Sequence, residues 1–209
     1  MIGRPTPITC FISDGSLSPE NFTDRKGILL SRIQLAVNAG VSIVQIREKH
    51  ISTQMLFDVA TEAARLVNDS ETILLINDRA DVAAASGAQG VHLTSTSLEA
   101  DQIRRTFGER FVIGVSTHTA NDVVHAKRTG ADLAVFGPVF PTPGKGPAVG
   151  VEALASVCKI AGEFPVLALG GISTDNWRQA MSAGAAGFAA IRFFGEFNNA
   201  AELADALRK

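Results

Sequence analysis

Apolar and β-branched residues gather in eight short runs, at 8–13, 42–47, 73–77, 90–93, 112–116, 133–136, 166–169 and 188–191. The stretches between them have helical spacing. Over 53–68, Leu56, Val59, Ala60, Ala63, Leu66 and Val67 fall on one helix face, and 120–128, 151–160 and 174–181 show the same period. Strand-length runs alternating with amphipathic helices predict βα units around a parallel sheet. A repeated junction sharpens this picture. Ala39-Gly40, Gly87-Ala88, Gly130-Ala131 and Gly184-Ala185 each precede a strand run. Glycine reaches the left-handed conformation that ends a helix, and so many similar units point to a closed barrel rather than an open sheet. No linker, low-complexity segment or charge run divides the chain. The expected architecture is α/β, a single-domain (β/α)8 TIM barrel over residues 1–209.

Composition agrees and removes several function classes. The 209 residues suffice for a short (β/α)8 barrel, which needs about 200. Hydrophobic residues make up 46% and charged residues 19%, ordinary values for a chain with a sizeable core. Lys+Arg 19 against Asp+Glu 21 gives a net charge of -2, so there is no basic excess to bind nucleic acid. Segment 1–14 lacks the charged and apolar regions of a signal peptide. No apolar run approaches the roughly 18 residues of a membrane span. Cys10 and Cys158 are far apart in apolar surroundings and read as buried free thiols. A cytoplasmic setting is expected, and a homo-oligomer is left open.

In such a barrel the chemistry sits at the C-terminal ends of the strands. Polar residues do follow the predicted strands: Asp14 the first, Arg47-Glu48-Lys49 the second, Asn77-Asp78-Arg79 the third. His92 and Thr94 fall at the fourth, and Ser116 and His118 at the fifth. The loop from Gly137 to Gly150 follows the sixth, Gly170-Gly171 the seventh and Arg192 the eighth. Gln45, Arg47 and Lys49 have period two and so project to one side. A cationic pair beside an amide suits a phosphate or pyrophosphate, unless Glu48 neutralises it. Asp78 either holds Mg²⁺ with substrate phosphate oxygens or caps the next helix. Thr142 and Lys145 offer a hydroxyl and a charge from a Gly/Pro-rich loop. Gly170-Gly171-Ile172-Ser173-Thr174 is read as opening a helix whose free amides favour an anion. His118 is either an acid–base group or a hydrogen-bonded loop histidine. His92 reads as structural, His50 and His125 as exposed, and Trp177, Phe193 and Phe194 as packing. No His/Cys spacing matches a zinc site.

The ordered set is more specific than its parts. Ile12-Ser13-Asp14, Gln45-Ile46-Arg47-Glu48-Lys49, Ile76-Asn77-Asp78-Arg79 and Gly90-Val91-His92-Leu93 come first in order. Gly114-Val115-Ser116-Thr117-His118-Thr119, Gly137-Pro138-Val139-Phe140-Pro141-Thr142 with Lys145, and Gly170-Gly171-Ile172 complete the series. Nearly end to end, the chain resembles the thiamine phosphate synthase/TenI family. The resemblance implies a (β/α)8 barrel that joins hydroxymethylpyrimidine pyrophosphate to thiazole phosphate and releases pyrophosphate. It implies that Gln45 faces the pyrimidine and that Arg47, Lys49, Asn77 and Lys145 hold the pyrophosphate. Asp78 is then a Mg²⁺ ligand, Ser116 and Thr142 line the substrates, and Gly171, beside Gly170, lies at the thiazole phosphate.

Three positions depart from the family pattern. Synthases of this family carry a second Mg²⁺-binding carboxylate a few residues after the His-Leu of the fourth strand. Here Ser97 occupies that position, and Glu99 is the nearest carboxylate. Gly144 replaces the second threonine of the Pro-Thr-x-Thr-Lys loop. Ile191-Arg192 replaces Ile-Ser, and Arg192 either binds phosphate or fills the pocket. The resemblance implies synthase-type coupling first. A TenI-like thiazole tautomerase, which needs no metal and gives His118 a proton-transfer role, is the alternative, followed by a non-catalytic binder of thiazole phosphate or thiamine phosphate.

Overall fold

The computed structural model describes residues 7–208. Positions 1–6 of the leader reading, and residue 209 of the domain reading, lie outside the described residues. The strands are β1 (Ile8–Ile12), β2 (Ile43–Ile46), β3 (Ile73–Asn77), β4 (Gly90–Leu93), β5 (Val112–Thr117), β6 (Leu133–Phe136), β7 (Val166–Leu169) and β8 (Gly187–Ala190). They alternate with α1 (Phe22–Asn38), α2 (Thr53–Val67), α3 (Ala80–Ser86), α4 (Ala100–Phe107), α5 (Ala120–Arg128), α6 (Gly150–Ala161), α7 (Trp177–Ser182) and α8 (Ala200–Arg208). Each strand pairs in parallel with the next, and β8 pairs with β1, so the sheet closes into a barrel. The four junction glycines, Gly40, Gly87, Gly130 and Gly184, all have left-handed φ values, between 77° and 92°.

Closure makes two cores out of one alternation. Ile8, Cys10 and Ile12 of β1 join Ile43, Leu75, Leu133, Val135, Leu167 and Ala189 inside the barrel. The residues of opposite parity, such as Phe11, Val44, Ile46, Leu74 and Ile76, pack outward against the helices. Strand ends lie within a residue or two of the predicted runs. The exception among helices is α7, which starts at Trp177 rather than 174. The Asn176 amide bonds both Ser173 N (2.9 Å) and the Gly171 carbonyl (2.8 Å), and so holds the preceding segment as a turn. Side-chain caps set other starts. Ser52 accepts from Met55 N at 3.2 Å before α2, and Thr119 and Asp122 form a capping box before α5.

An aromatic cluster closes the shell beside β8. Phe188 contacts Trp177, Phe193 and Phe194 at centroid distances of 5.6, 5.0 and 6.1 Å. The packing reading of these rings therefore holds. Both cysteines are free. Cys10 is buried, and burial pushes its thiol up to about 12. Cys158 is only partly buried; it lies on α6 beside Gly184 and packs against the shell between strands and helices rather than inside the barrel. No helix among the described residues is long and apolar enough to cross a membrane.

The barrel wall leaves no room beside Gly187, where a Cβ would lie 1.8 Å from the Ile8 carbonyl oxygen. Gly27, inside α1, has nothing within 4 Å of the same position. Gly187→Ala should therefore destabilise by about 3 kcal/mol or more, as overpacking does. Gly27→Ala should stabilise by about 1 kcal/mol through helix propensity. Urea midpoints of the two variants check the pair; a tolerated Gly187→Ala contradicts the β1–β8 closure.

Candidate active site

The site begins with a carboxylate that does not do what its neighbours in sequence suggest. Glu48 stands between Arg47 and Lys49, yet it is 6% exposed and turned away from both. Its oxygens accept the backbone amides of Gly15 (3.2 Å) and Leu17 (2.9 Å), which ties the loop after β1 to the end of β2. Ser13 adds to the tie by accepting the Arg47 amide at 2.8 Å. Arg47 and Lys49 are thus left without their nearest counter-ion. Among the described residues, no carboxylate comes within ion-pairing distance of Arg47, Lys49, Lys145 or Arg192.

A cavity of about 260 Å³ opens at the C-terminal ends of the strands, and Arg47, His118, Thr142, Lys145 and Arg192 all line it. Gly170 and Gly171 form its floor beside Leu169 and Ile172. Their glycine identity comes from close approach. A Cβ on Gly170 would lie 2.6 Å from Pro138, and one on Gly171 2.6 Å from the Pro141 carbonyl. The loop 137–150 therefore folds directly onto the end of β7, with Val139 N and Phe140 N donating to the Leu169 and Gly170 carbonyls (2.8 and 3.0 Å). The amides of Gly171 and Ile172 have no acceptor among the described residues. These are loop amides. The expectation of a helix opening at 170–174 is corrected, because α7 begins later and is only six residues long.

Beside this cavity, at the ends of β2 and β3, the inward side chains become polar. Gln45 Nε2 donates to Asn77 Oδ1 (3.0 Å), and Asn77 Nδ2 donates to Asp78 Oδ2 (2.7 Å). Gln45 is 1% exposed, and its Oε1 has no hydrogen-bond partner. Asp78 is held on its other side as well. Thr94 Oγ1 donates to Oδ1 at 2.8 Å, and Ser97 Oγ donates to the same oxygen. Asp78 has a left-handed φ of 60°, the only such value for a non-glycine among the described residues. It makes no side-chain cap to α3, so the capping reading is set aside. Burial raises the Asp78 pKa, but the Ser97 and Thr94 hydroxyls and the Lys49 charge outweigh it, and the carboxyl stays below its usual range. Among the described residues no three of His, Cys, Asp and Glu gather in a metal-binding set. Glu99 is engaged elsewhere, with His125 Nε2 at 2.6 Å. A divalent cation here would rest on the single carboxylate of Asp78.

The two candidate histidines differ. His92 is 3% exposed and bonds Ser116 Oγ at 2.8 Å. A Cβ on Gly114 would lie 2.9 Å from its Nδ1, so that glycine makes space for the ring. Burial, helped by the Arg47 charge and opposed by Asp78, lowers its pKa to about 4. Ser116 is therefore committed to His92 and lines a side cavity rather than the main one. His118 is exposed and lines both cavities, with Nδ1 2.7 Å from the Gly137 carbonyl. That contact requires Nδ1 to carry the proton, which leaves Nε2 as the basic nitrogen.

A parallel eight-stranded barrel with unpaired cations around its C-terminal mouth defines a class of small-molecule barrel enzymes. Comparison with known proteins narrows the class. The family model described as thiamine monophosphate synthase matches residues 15–194. The thiamine-phosphate synthase of Caldicellulosiruptor bescii is 37% identical over 159 residues, 73% of this chain and 71% of that one. The thiamine-phosphate synthase of Chlorobium limicola is 35% identical over 189 residues, covering 89% and 85%. The solved thiamine phosphate pyrophosphorylase from Pyrococcus furiosus superposes with a TM-score of 0.81 at 26% identity, covering 97% of this chain and 94% of that one. The chain belongs to the thiamine monophosphate synthase family.

His92 also ties the mouth to stability. The unfolded chain takes up a proton on this ring near the ordinary histidine value of about 6.5, whereas the folded chain resists until about 4. The folded state therefore loses stability as pH falls through that window, by roughly 3 kcal/mol in all. Melting of the wild type and of His92→Asn between pH 7 and pH 4.5 checks this. The wild type should lose stability on acidification and the variant should lose much less. Parallel curves would exclude a neutral buried His92.

Proposed function

We propose that this chain is a thiamine-phosphate synthase, coupling hydroxymethylpyrimidine pyrophosphate to thiazole phosphate with release of pyrophosphate. The observation that carries the reading is that three cations, Arg47, Lys145 and Arg192, line one cavity without an ion-pair partner among the described residues, with Lys49 acting on Asp78 beside it. Unpaired cations around a concave, largely apolar cavity favour a ligand with several negative charges. The family membership and the named relatives support the same reaction.

The residues divide the work. Arg47, Lys49 and Lys145 neutralise the charge that grows on the departing pyrophosphate as its C–O bond breaks. The thiazole nitrogen then forms the new C–N bond with its own lone pair, so no protein base is needed to activate it. Gln45 Oε1, buried and unpartnered, accepts a hydrogen bond from the pyrimidine amino group, which would satisfy an otherwise costly acceptor. The Gly171 and Ile172 amides with Arg192 take the phosphate of the second substrate. Arg192 is thereby read as binding phosphate rather than filling the pocket. Asp78, held ionised, would be the residue of this chain that holds a Mg²⁺ ion. When bound, that ion supplies Lewis-acid stabilisation of the leaving anion.

One observation favours a second reading. His118 lines the cavity with Nδ1 held by the Gly137 carbonyl and Nε2 left as the basic nitrogen, which suits proton transfer by a TenI-like thiazole tautomerase. That reaction, however, uses neither the Gln45–Asn77–Asp78 chain nor the cations on that side.

Purified protein with both substrates and Mg²⁺ should form thiamine phosphate with enzymatic turnover, measured by chromatography. Lys145→Ala should lower kcat by about 100-fold, the scale for removing one preorganised charge donor, with unchanged melting because its loop is exposed. Arg192→Ala should raise KM for thiazole phosphate about tenfold with little effect on kcat. Full activity of Lys145→Ala would overturn the pyrophosphate assignment. Isomerisation of a thiazole phosphate without any coupling would move the assignment to the tautomerase.

A further inference from the structure

A second cavity lies outside the barrel, in the shell between α1 and the segment that follows β8. It measures about 270 Å³, close to the size of the cavity at the mouth, and the two share only Ile191 among their lining residues. Its floor is aromatic. Phe11 and Phe194 are buried there, with ring centroids 5.5 Å apart. Its walls are apolar but uncovered, since Ile28 on α1 is 58% exposed and Ile191 after β8 is 36% exposed. Arg25, Ile28, Leu29 and Arg32 recur at helical spacing and share one face of α1. The two guanidiniums therefore leave the helix two turns apart, about 10 Å along its axis, with the apolar pair between them. Neither has a carboxylate within ion-pairing distance among the described residues. Arg32 gives one N–H to the Phe197 carbonyl at 2.6 Å, and the Arg25 side chain makes no hydrogen bond to the described residues. Lys26, the other cation of α1, is by contrast paired with Glu62 at 2.7 Å. Asp14, the one carboxylate in the lining, accepts the Ser16 amide at 3.0 Å. A lone exposed arginine is simply solvated, whereas two that flank an apolar hollow match a ligand with both characters.

We propose that this cavity is a second ligand site, separate from the mouth, for a small aromatic phosphate monoester. The ring packs on Phe11 and Phe194 between Ile28 and Ile191, and the phosphate lies against Arg25 and Arg32. The volume is at the small end for ligand pockets and limits the body to a single ring. Two guanidiniums match the double negative charge of the phosphate, and their planar forks match its oxygens. A carboxylate brings only one charge, and inorganic phosphate leaves the apolar walls in water. The site stands independently of the reading of the mouth, because neither of its arginines lines that cavity.

NMR of the intact, isotope-labelled protein tests this with phenyl phosphate as the probe. The backbone amide signals of Leu29 and Gly195 should shift saturably, with a Kd on the order of 1 mM, the scale for a ligand of so few atoms. Benzoate, phenol and inorganic phosphate lack the second charge, the anion and the ring respectively, and each should bind at these signals about tenfold more weakly. Arg25→Gln should weaken phenyl phosphate there by about tenfold, the scale of one lost charge-assisted contact, while shifts at Gly171 in the mouth stay as in the wild type. Arg25 holds nothing else in the fold, so the melting temperature of the variant should not move. Arg25→Lys keeps the charge without the fork and should restore part of the affinity. Equal binding of benzoate would overturn the phosphate assignment. Shifts confined to Gly171 and its neighbours would place the probe in the mouth and overturn the second site, while leaving the anion reading of the mouth standing. Signals of Leu29 and Gly195 that move with protein concentration before probe is added would show a second copy of this chain covering the cavity, and would overturn it as well.

Discussion

A strand in a closed barrel offers its side chains two destinations, the lumen or the helical shell, and consecutive residues alternate between them. Everything at the mouth follows from that constraint. On β2 the inward positions are Ile43 and Gln45, and on β3 they run from Ile73 through Leu75 to Asn77. The lumen is apolar until its last layer and polar there. A chain of amide hydrogen bonds can therefore form between neighbouring strands at one height only, and Gln45 to Asn77 to Asp78 is that chain. The left-handed turn at Asp78 ends the alternation and swings the carboxylate toward the loop after β4, where Thr94 and Ser97 wait. A non-glycine residue held in that conformation costs on the order of 1–3 kcal/mol and persists only when its surroundings over-determine it.

Charge is organised by the same geometry. Glu48 has outward parity relative to Arg47, so it reaches the amides of Gly15 and Leu17 instead of the guanidinium beside it. One carboxylate thus orders a loop and, by being occupied, leaves a cation unpaired. Elsewhere the chain pairs its charges in the ordinary way, as in Lys26–Glu62 and Arg104–Asp132. The near-neutral net charge of -2 conceals this segregation.

Much of the barrel could be read in the sequence because period two and period 3.6 differ strongly, and because the junction glycines repeat. The candidate residues could be read because they lie at, or just after, the C-terminal ends of strands. What escaped were relations between residues far apart in the chain. The Ser97–Asp78 bond joins two loops that follow different strands, and Ser97 by itself reads as the loss of a carboxylate rather than the gain of a donor. The Glu48 role was hidden because a charge between two opposite charges invites a pairing that strand parity forbids. The start of α7 was misplaced because Asn176, not the glycine pair, sets it. Ser116 looked free for substrate, but its partner His92 lies on the neighbouring strand.

The departures from the family pattern become intelligible together. Against the pattern that the resemblance implies, Ser97 stands in place of an acid and Arg192 in place of a small hydroxyl, so both positions move the local charge in the same direction. A more positive mouth holds polyanions more strongly and free dications less. The hydroxyl at 97 keeps what the fold still needs, an anchored Asp78. On the proposed function the two positions therefore favour an anionic ligand at the mouth without disturbing the barrel that presents them.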